Sequence, residues 1–207
     1  MNNPWLIALV MYVALATISA MPVLLAIFGK VALHPGGPGF LESDRFSEPA
    51  KKALQDNFER LRGTLGFWKK QAETYRRLHY YCLCWTIPSA VIVPLLTQAV
   101  SDDPYSKWLL TVISAYSAIL LATHRSFKVM ENYRAFREGE SSFYDTYRRL
   151  LDRPHTFGST EADQVSKYMD EVENLRKLIR NAETDNTPSL EQAKSQMANE
   201  GATKPIS

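Results

Sequence analysis

LLTQAVSDDPYSKWLL, residues 95–110, joins two apolar runs through a short polar segment carrying two adjacent aspartates, Asp102 and Asp103. Two readings of those aspartates stand: an ordinary turn held in water, or the charged outer mouth of an ion path. The choice depends on the flanking runs. Tyr80–Ser101 upstream and Trp108–Thr123 downstream contain no charged residue, and a third such run spans Trp5–Gly29. A helix needs roughly 17–25 apolar residues to cross a hydrocarbon core. Two of the runs meet that length. The third, Trp108–Thr123, is sixteen residues long and is extended by Lys107, His124 and Arg125, whose polar ends reach the interface. Tyr80, Tyr81, Tyr105 and Trp108 stand where aromatic belts belong.

Trp5–Gly29 reads as an uncleaved membrane helix rather than a signal peptide. No Lys or Arg precedes it, its apolar region is long, and no small-x-small pair marks a cut site. Charge then orients the three spans. Of 24 Lys and Arg residues, ten lie between Lys30 and Arg77 and thirteen from Arg125 onward, with Lys107 alone between the second and third runs. The positive-inside rule places both long polar regions in the cytoplasm and the Asp102–Asp103 turn outside. The aspartates then cap a tight outer hairpin.

The polar regions carry three seams. HPGGPGF, residues 34–40, reads as a linker without the Gly-Lys-Ser/Thr of a phosphate loop. Leu54, Phe58, Leu61, Leu65, Trp68, Ala72, Tyr75 and His79 alternate at spacings of four and three, a heptad seam on a long helix entering the second span. Gly63 and Gly66 weaken that helix by about 1 kcal/mol each. Val129, Tyr133, Phe136, Glu140, Phe143, Tyr147 and Leu150 form a second seam, expected to pack antiparallel to the first. In that register Glu140 falls near Gly63 and within reach of Arg62, as a structural ion pair or a gating contact. Phe67, Phe143 and Tyr144 give the hairpin an aromatic edge suited to assembly. RPHTFG ends the helix, and TEAD, residues 160–163, matches a capping box before a third seam of Val165, Tyr168, Val172, Leu175 and Ile179. From residue 184 the chain is polar without periodicity and reads as a disordered tail.

FWKKQAETYRRLHYY, residues 67–81, an apolar hairpin with an acidic turn, and ENYRAFREGESSFYDTY, residues 131–147, together resemble the SLATT-type two-transmembrane effector domains. The matching residues are Trp68, Lys69, Lys70, Tyr80 and Tyr81, then Tyr133, Arg134, Glu138 and Tyr147, over residues 50–158. The resemblance implies a bacterial inner-membrane effector acting by oligomeric pore or channel formation, beside nucleotide-signalled defence modules. This chain departs from that pattern in its extra N-terminal span and in having no nucleotide-sensing domain of its own.

No enzyme constellation emerges. His34, His79, His124 and His155 lie far apart in sequence without metal-ligand spacing, so no cofactor or metal is expected. Cys82 and Cys84 read as small apolar filler. A net charge of +2 gives no electrostatic case for nucleic acid. Arg76, Arg77 and His79 lie at the same depth as His124, Arg125 and Lys128 at the inner membrane edge, as a site for anionic lipid headgroups or a cationic vestibule. Thr86, Ser89, Pro94, Thr97 and Gln98 in the second span, with Thr111, Ser114 and Ser117 in the third, suit either close helix packing or the lining of a water path.

The expected fold is all-α. It comprises a membrane helix (1–29), a linker (30–49), a membrane hairpin with an antiparallel cytoplasmic extension (50–158), a cytoplasmic amphipathic helix (159–183) and a tail (184–207). The expected function is a homo-oligomeric, cation-conducting pore whose partners are lipids, inorganic ions and further copies of itself. The alternative is a non-conducting membrane scaffold or signalling adaptor that recruits a soluble partner through its cytoplasmic helices.

Overall fold

The computed structural model describes residues 3–33, 37–100 and 102–186. They form five helices and no strand: α1 (Pro4–Phe28), α2 (Glu48–Ala99), α3 (Pro104–Ser126), α4 (Val129–Asp152) and α5 (Glu161–Asn186). Single 3₁₀ turns at Phe40–Glu42 and Pro154–Thr156 join them. The expected tail from residue 187 lies outside the described residues, while residues 184–186 belong to the last turn of α5. Three helices, α1, α2 and α3, are long and apolar enough to cross a membrane. The chain divides into two compact units, one of Met1–Gly29 with Thr74–Met130, the other of Lys30–Glu73 with Glu131–Asp185.

The first unit packs α1 against the apolar half of α2 and against α3. Local chemistry starts each helix. Asn3 caps α1 by accepting from the Trp5 N–H at 3.0 Å, and Pro4 supplies the helical φ of the first position. Asp103 and Pro104 repeat the device at α3, where Asp103 Oδ1 accepts from the Tyr105 N–H at 2.8 Å. Asn3 Nδ2 also donates to Asp103 Oδ2, so the start of α1 and the α2–α3 turn share one end of the unit. Helix α1 therefore runs parallel to α3 and antiparallel to α2. Large apolar side chains cover the outside: Ile18 is 68 % exposed, Val91 62 % and Ile119 62 %, a surface suited to lipid. Phe127 and Lys128 turn the chain between α3 and α4, with Lys128 in the left-handed region at φ 42°.

The second unit packs the parts of the three seams that fall within it. Leu54, Leu65 and Trp68 of α2, Phe136, Phe143 and Leu150 of α4, and Tyr168, Val172 and Ile179 of α5 are each buried. Phe58 meets Phe143 and Tyr147 while Phe67 meets Phe136, the antiparallel order expected of α2 and α4. Helix α5 runs parallel to α2, because Glu161 at its start accepts from both the backbone N–H and the hydroxyl of Ser47, just ahead of α2. Thr160 caps α5 as the capping-box reading requires, its Oγ1 accepting from the Asp163 N–H at 3.2 Å. The linker contributes more than its composition suggested: Phe40 is fully buried, against the rings of Tyr147 and Tyr168, and Phe46 is buried too.

The unit's tightest point is Gly139. A β-carbon there would lie 2.7 Å from Ile179 Cγ1 and 3.4 Å from Trp68 Cε3, so α4 passes α5 and α2 with room for hydrogen alone. Gly63 and Gly66 of α2 have open space instead. Gly139→Ala is expected to cost about 1–3 kcal/mol through overpacking. Gly63→Ala and Gly66→Ala should each stabilise by up to about 1 kcal/mol through helix propensity. Thermal unfolding of the full chain in detergent, followed by circular dichroism, checks the opposite signs.

Candidate functional site

Within the first unit, hydroxyls gather between α2 and α3. Thr86, Ser89 and Pro94 of α2 and Ser114 and Ser117 of α3 line one open-sided groove of about 350 Å³, floored by Ala90, Val93, Ala118 and Leu121. Five of the eight side chains expected to line a path therefore converge. Thr97, Gln98 and Thr111 do not line it and are exposed. Each hydroxyl with a resolved donor bond spends its proton on its own helix: Thr86 on Cys82 O (2.7 Å), Ser89 on Trp85 O (2.6 Å) and Ser117 on Ile113 O (2.8 Å). This back-bonding satisfies the proton in apolar surroundings and leaves the oxygen lone pairs free to accept.

Behind the groove lies an aromatic cluster that the sequence reading passed over. Tyr12 of α1 stands edge-on to Trp85 (centroids 5.0 Å apart) and to Tyr116 (6.1 Å), and Trp85 meets Tyr116 at 5.9 Å. Tyr81 donates to Ala16 O at 3.0 Å, so the proton in its contact with the Tyr116 hydroxyl comes from Tyr116. Trp85 Nε1 donates to Ser19 Oγ at 2.9 Å, and Arg77 donates to Pro22 O at 3.0 Å. The Tyr12 hydroxyl is buried and interacts with Ser89 and Ser117, yet closes no hydrogen bond of full geometry with either. Helix α1 is thus fastened to α2 by polar contacts at several levels, where its uncharged sequence pointed only to a membrane helix. The available signal was the i, i+7 spacing of Tyr12 and Ser19 opposite the i, i+4 pair Tyr81 and Trp85.

At one end of this unit stand the aspartates. Asp102 is exposed, whereas Asp103 is committed to capping α3 and to Asn3, so the two are not equivalent charges. At the other end, His79 Nδ1 lies 2.8 Å from His124 Nε2, which brings the two basic clusters together. Arg76, Arg125 and Lys128 are exposed around that contact. One proton sits between the two ring nitrogens, so the contact does not survive protonation of both. Burial, followed by the neighbouring charge of His124, pushes His79 below the ordinary histidine range.

Two contacts in the second unit differ from expectation. Glu140 is 4 % exposed and pairs with Arg137 at 2.8 Å and Lys69 at 3.8 Å, while Arg62 pairs with Glu59. Gly139 packs against Trp68, which sets the α2–α4 register and puts Glu140 beside Lys69, two turns past Arg62. Lys69 also donates to Ala32 O at 2.9 Å, tying the linker to the same carboxylate. Phe143, expected at an assembly edge, is 1 % exposed and closed between Phe58 and Tyr147. Phe67 keeps an exposed edge at 41 %. Among the described residues no group of three or more His, Cys, Asp or Glu side chains has the geometry to hold a metal ion. Comparison with protein-family models, curated proteins and solved structures finds no match to this chain.

Two outcomes follow for the ends of this unit. Asp103→Ala should cost about 1 kcal/mol, typical of a lost N-cap, while Asp102→Asn stays within about 0.5 kcal/mol of the parent; thermal midpoints in detergent read both. His79 binds its proton more weakly folded than unfolded. Its stabilising contribution is therefore complete above the ordinary histidine pKa of about 6.5 and is lost as pH falls below it. His79→Gln should flatten the drop in thermal midpoint on going from about pH 7.5 to about pH 5.5.

Proposed function

We propose that the chain acts as a homo-oligomeric membrane pore that passes cations, with the α2–α3 groove of each copy turned toward a shared symmetry axis. The observation that carries this reading is the groove itself. Four hydroxyl-bearing residues, Thr86, Ser89, Ser114 and Ser117, converge with Pro94 on one face of two helices, and the oxygens of Thr86, Ser89 and Ser117 keep lone-pair capacity beyond the proton each gives its own helix. Three helices are too few to enclose a water path, so a path needs several copies about an axis. Seen from that axis, each subunit offers acceptors for a hydrated cation, and behind them the incompletely bonded Tyr12 hydroxyl, a group that ordered water satisfies.

The ends of the unit suit the same direction of flow. Exposed Asp102 side chains from several copies form an acidic ring that concentrates cations, with Asp103 held back as a cap. Positive-inside orientation puts that ring outside and the paired histidines with their arginines at the cytoplasmic end. The resemblance to SLATT-type effector domains supports the same reading, as does the lipid-compatible outer surface of α1. Anionic headgroups then neutralise Arg76, Arg125 and Lys128 at the rim.

Purified full-length protein reconstituted into vesicles should release trapped cations. Thr86→Leu with Ser114→Leu, which fills the groove, should abolish that release without changing the oligomer mass. Asp102→Asn should reduce selectivity for cations over anions at low salt, an effect that fades near 1 M salt, where the screening length is about 3 Å. A monomer in both detergent and bilayer, or vesicles that stay sealed, would return the chain to the scaffold reading.

A further inference from the structure

The second unit carries a groove that the pore reading does not use. It lies between α2 and α5, encloses about 390 Å³, and is floored by Leu61, Met169 and Val172. Its walls are basic. Arg60 of α2 faces Arg176, Lys177 and Arg180 of α5, with Glu173 as the one carboxylate in the lining. The spacing explains the convergence: residues 173, 176, 177 and 180 fall on one stripe of a helix, as do 57, 60 and 61. The Ser47–Glu161 contact holds the two helices side by side from their first turns, so the stripes stay opposed.

The carboxylate does not neutralise this wall. Glu173 accepts from Lys177 at 2.8 Å, an i, i+4 pair along the helix surface, and is held below the ordinary carboxylate range by that bond. Arg60 turns its Nε onto the Asp56 carbonyl at 3.2 Å. The Arg180 guanidinium makes no hydrogen bond or ion pair with a described residue. Planar guanidinium groups in such a concavity match tetrahedral oxyanions, which accept from several N–H donors at once.

A second observation narrows the ligand. Asn57, in the groove lining, has its Oδ1 buried without a hydrogen-bond donor among the described residues. Buried acceptors are rarely left so in native proteins. Phosphate alone at neutral pH offers mainly acceptors and does not serve that oxygen well. A phosphate ester that also bears a free hydroxyl serves both: its oxygens take the arginine donors and, once the Asn57 amide turns outward into the groove, its hydroxyl donates to Oδ1. The volume, within the roughly 300–1,000 Å³ of small-molecule sites, admits a sugar-phosphate-sized molecule.

We propose that the α2–α5 groove is a binding site for a phosphate ester carrying a free hydroxyl, held by Arg60, Arg176 and Arg180 and oriented by Asn57. The same chemistry occurs in soluble sugar phosphates and in phosphoinositide headgroups, so the test has two arms. In the first, full-length protein in phosphatidylcholine nanodiscs is titrated with ribose 5-phosphate, with ribose and inorganic phosphate as controls. Ribose 5-phosphate should bind at least about tenfold more tightly than either control, a step of about 1.4 kcal/mol. Arg176→Gln with Arg180→Gln, both on the surface of α5, should remove that binding while the thermal midpoint without ligand holds. Asn57→Ala should bring ribose 5-phosphate down to the level of inorganic phosphate. In the second arm, nanodiscs containing phosphatidylinositol 4-phosphate replace the soluble ligand. A lipid source appears there as a thermal shift that depends on Arg176 and Arg180 and that blocks ribose 5-phosphate. Equal binding of ribose 5-phosphate and inorganic phosphate overturns the role of Asn57. Absence of an arginine-dependent effect in both arms overturns the site.

Discussion

A polar group taken out of water needs a partner inside the protein, and the first unit is organised around that need. Its serines and threonines return their protons to carbonyls one turn back, Tyr81 reaches the α1 backbone, and Trp85 finds Ser19. Three of its helices are long and apolar enough to cross a membrane, and within lipid apolar surface alone would not hold them together, because the tails are as apolar as the side chains. Directional bonds and close-fitting rings do that work. They also choose the neighbour: α1 sits where Ala16, Ser19 and Pro22 offer acceptors to Tyr81, Trp85 and Arg77. The groove is what remains on the side of α2 and α3 that those contacts leave uncovered.

In the second unit the governing event is the closest approach rather than a hydrogen bond. Gly139 lets Ile179 and Trp68 reach the α4 backbone, and this contact sets how far α4 slides along α2. Glu140, one residue on, is carried to Lys69 and Arg137 as a consequence. A buried carboxylate with one partner removed is costly, so the pairing fixes register more than it adds stability. Phe40 and Phe46, from a stretch that looks like linker, close the far end of the same core. The basic groove between α2 and α5 exists because those helices are parallel, with their N-termini clamped by Glu161.

Heptad spacing alone named most of the buried residues of α2, α4 and α5, missing Ala50, Cys82, Ser89 and Asn132, because a packed helix buries one stripe and the stripe recurs every seven residues. It placed Phe143 in a seam and yet suggested an exposed edge for it, since spacing does not count how many neighbours a seam has. Two seams leave an edge open; the third, from α5, with Phe40 and Tyr147 beyond it, closes the core. The Arg62–Glu140 pairing failed for a related reason. It rested on counting residues inward from a turn, and a glycine-mediated contact shifts that count by about two turns. The hydroxyls of α2 and α3 were legible as a set, but which of them share a face was not.

What the sequence by itself determined is the helical class, the three apolar runs, the cap at Thr160, and the three seams. Each depends on residues within a few turns of one another. Only the tertiary structure decided that α1 is fastened to α2 through Tyr81 and Trp85, that Asp103 is spent on Asn3 while Asp102 is exposed, and that four hydroxyl residues and Pro94 share one groove. It alone opposed Arg60 and Asn57 to the arginines of α5. Those relations join residues more than a hundred positions apart, and their geometry is set by how side chains of particular volume fit together. Local periodicity carries no information about that fit.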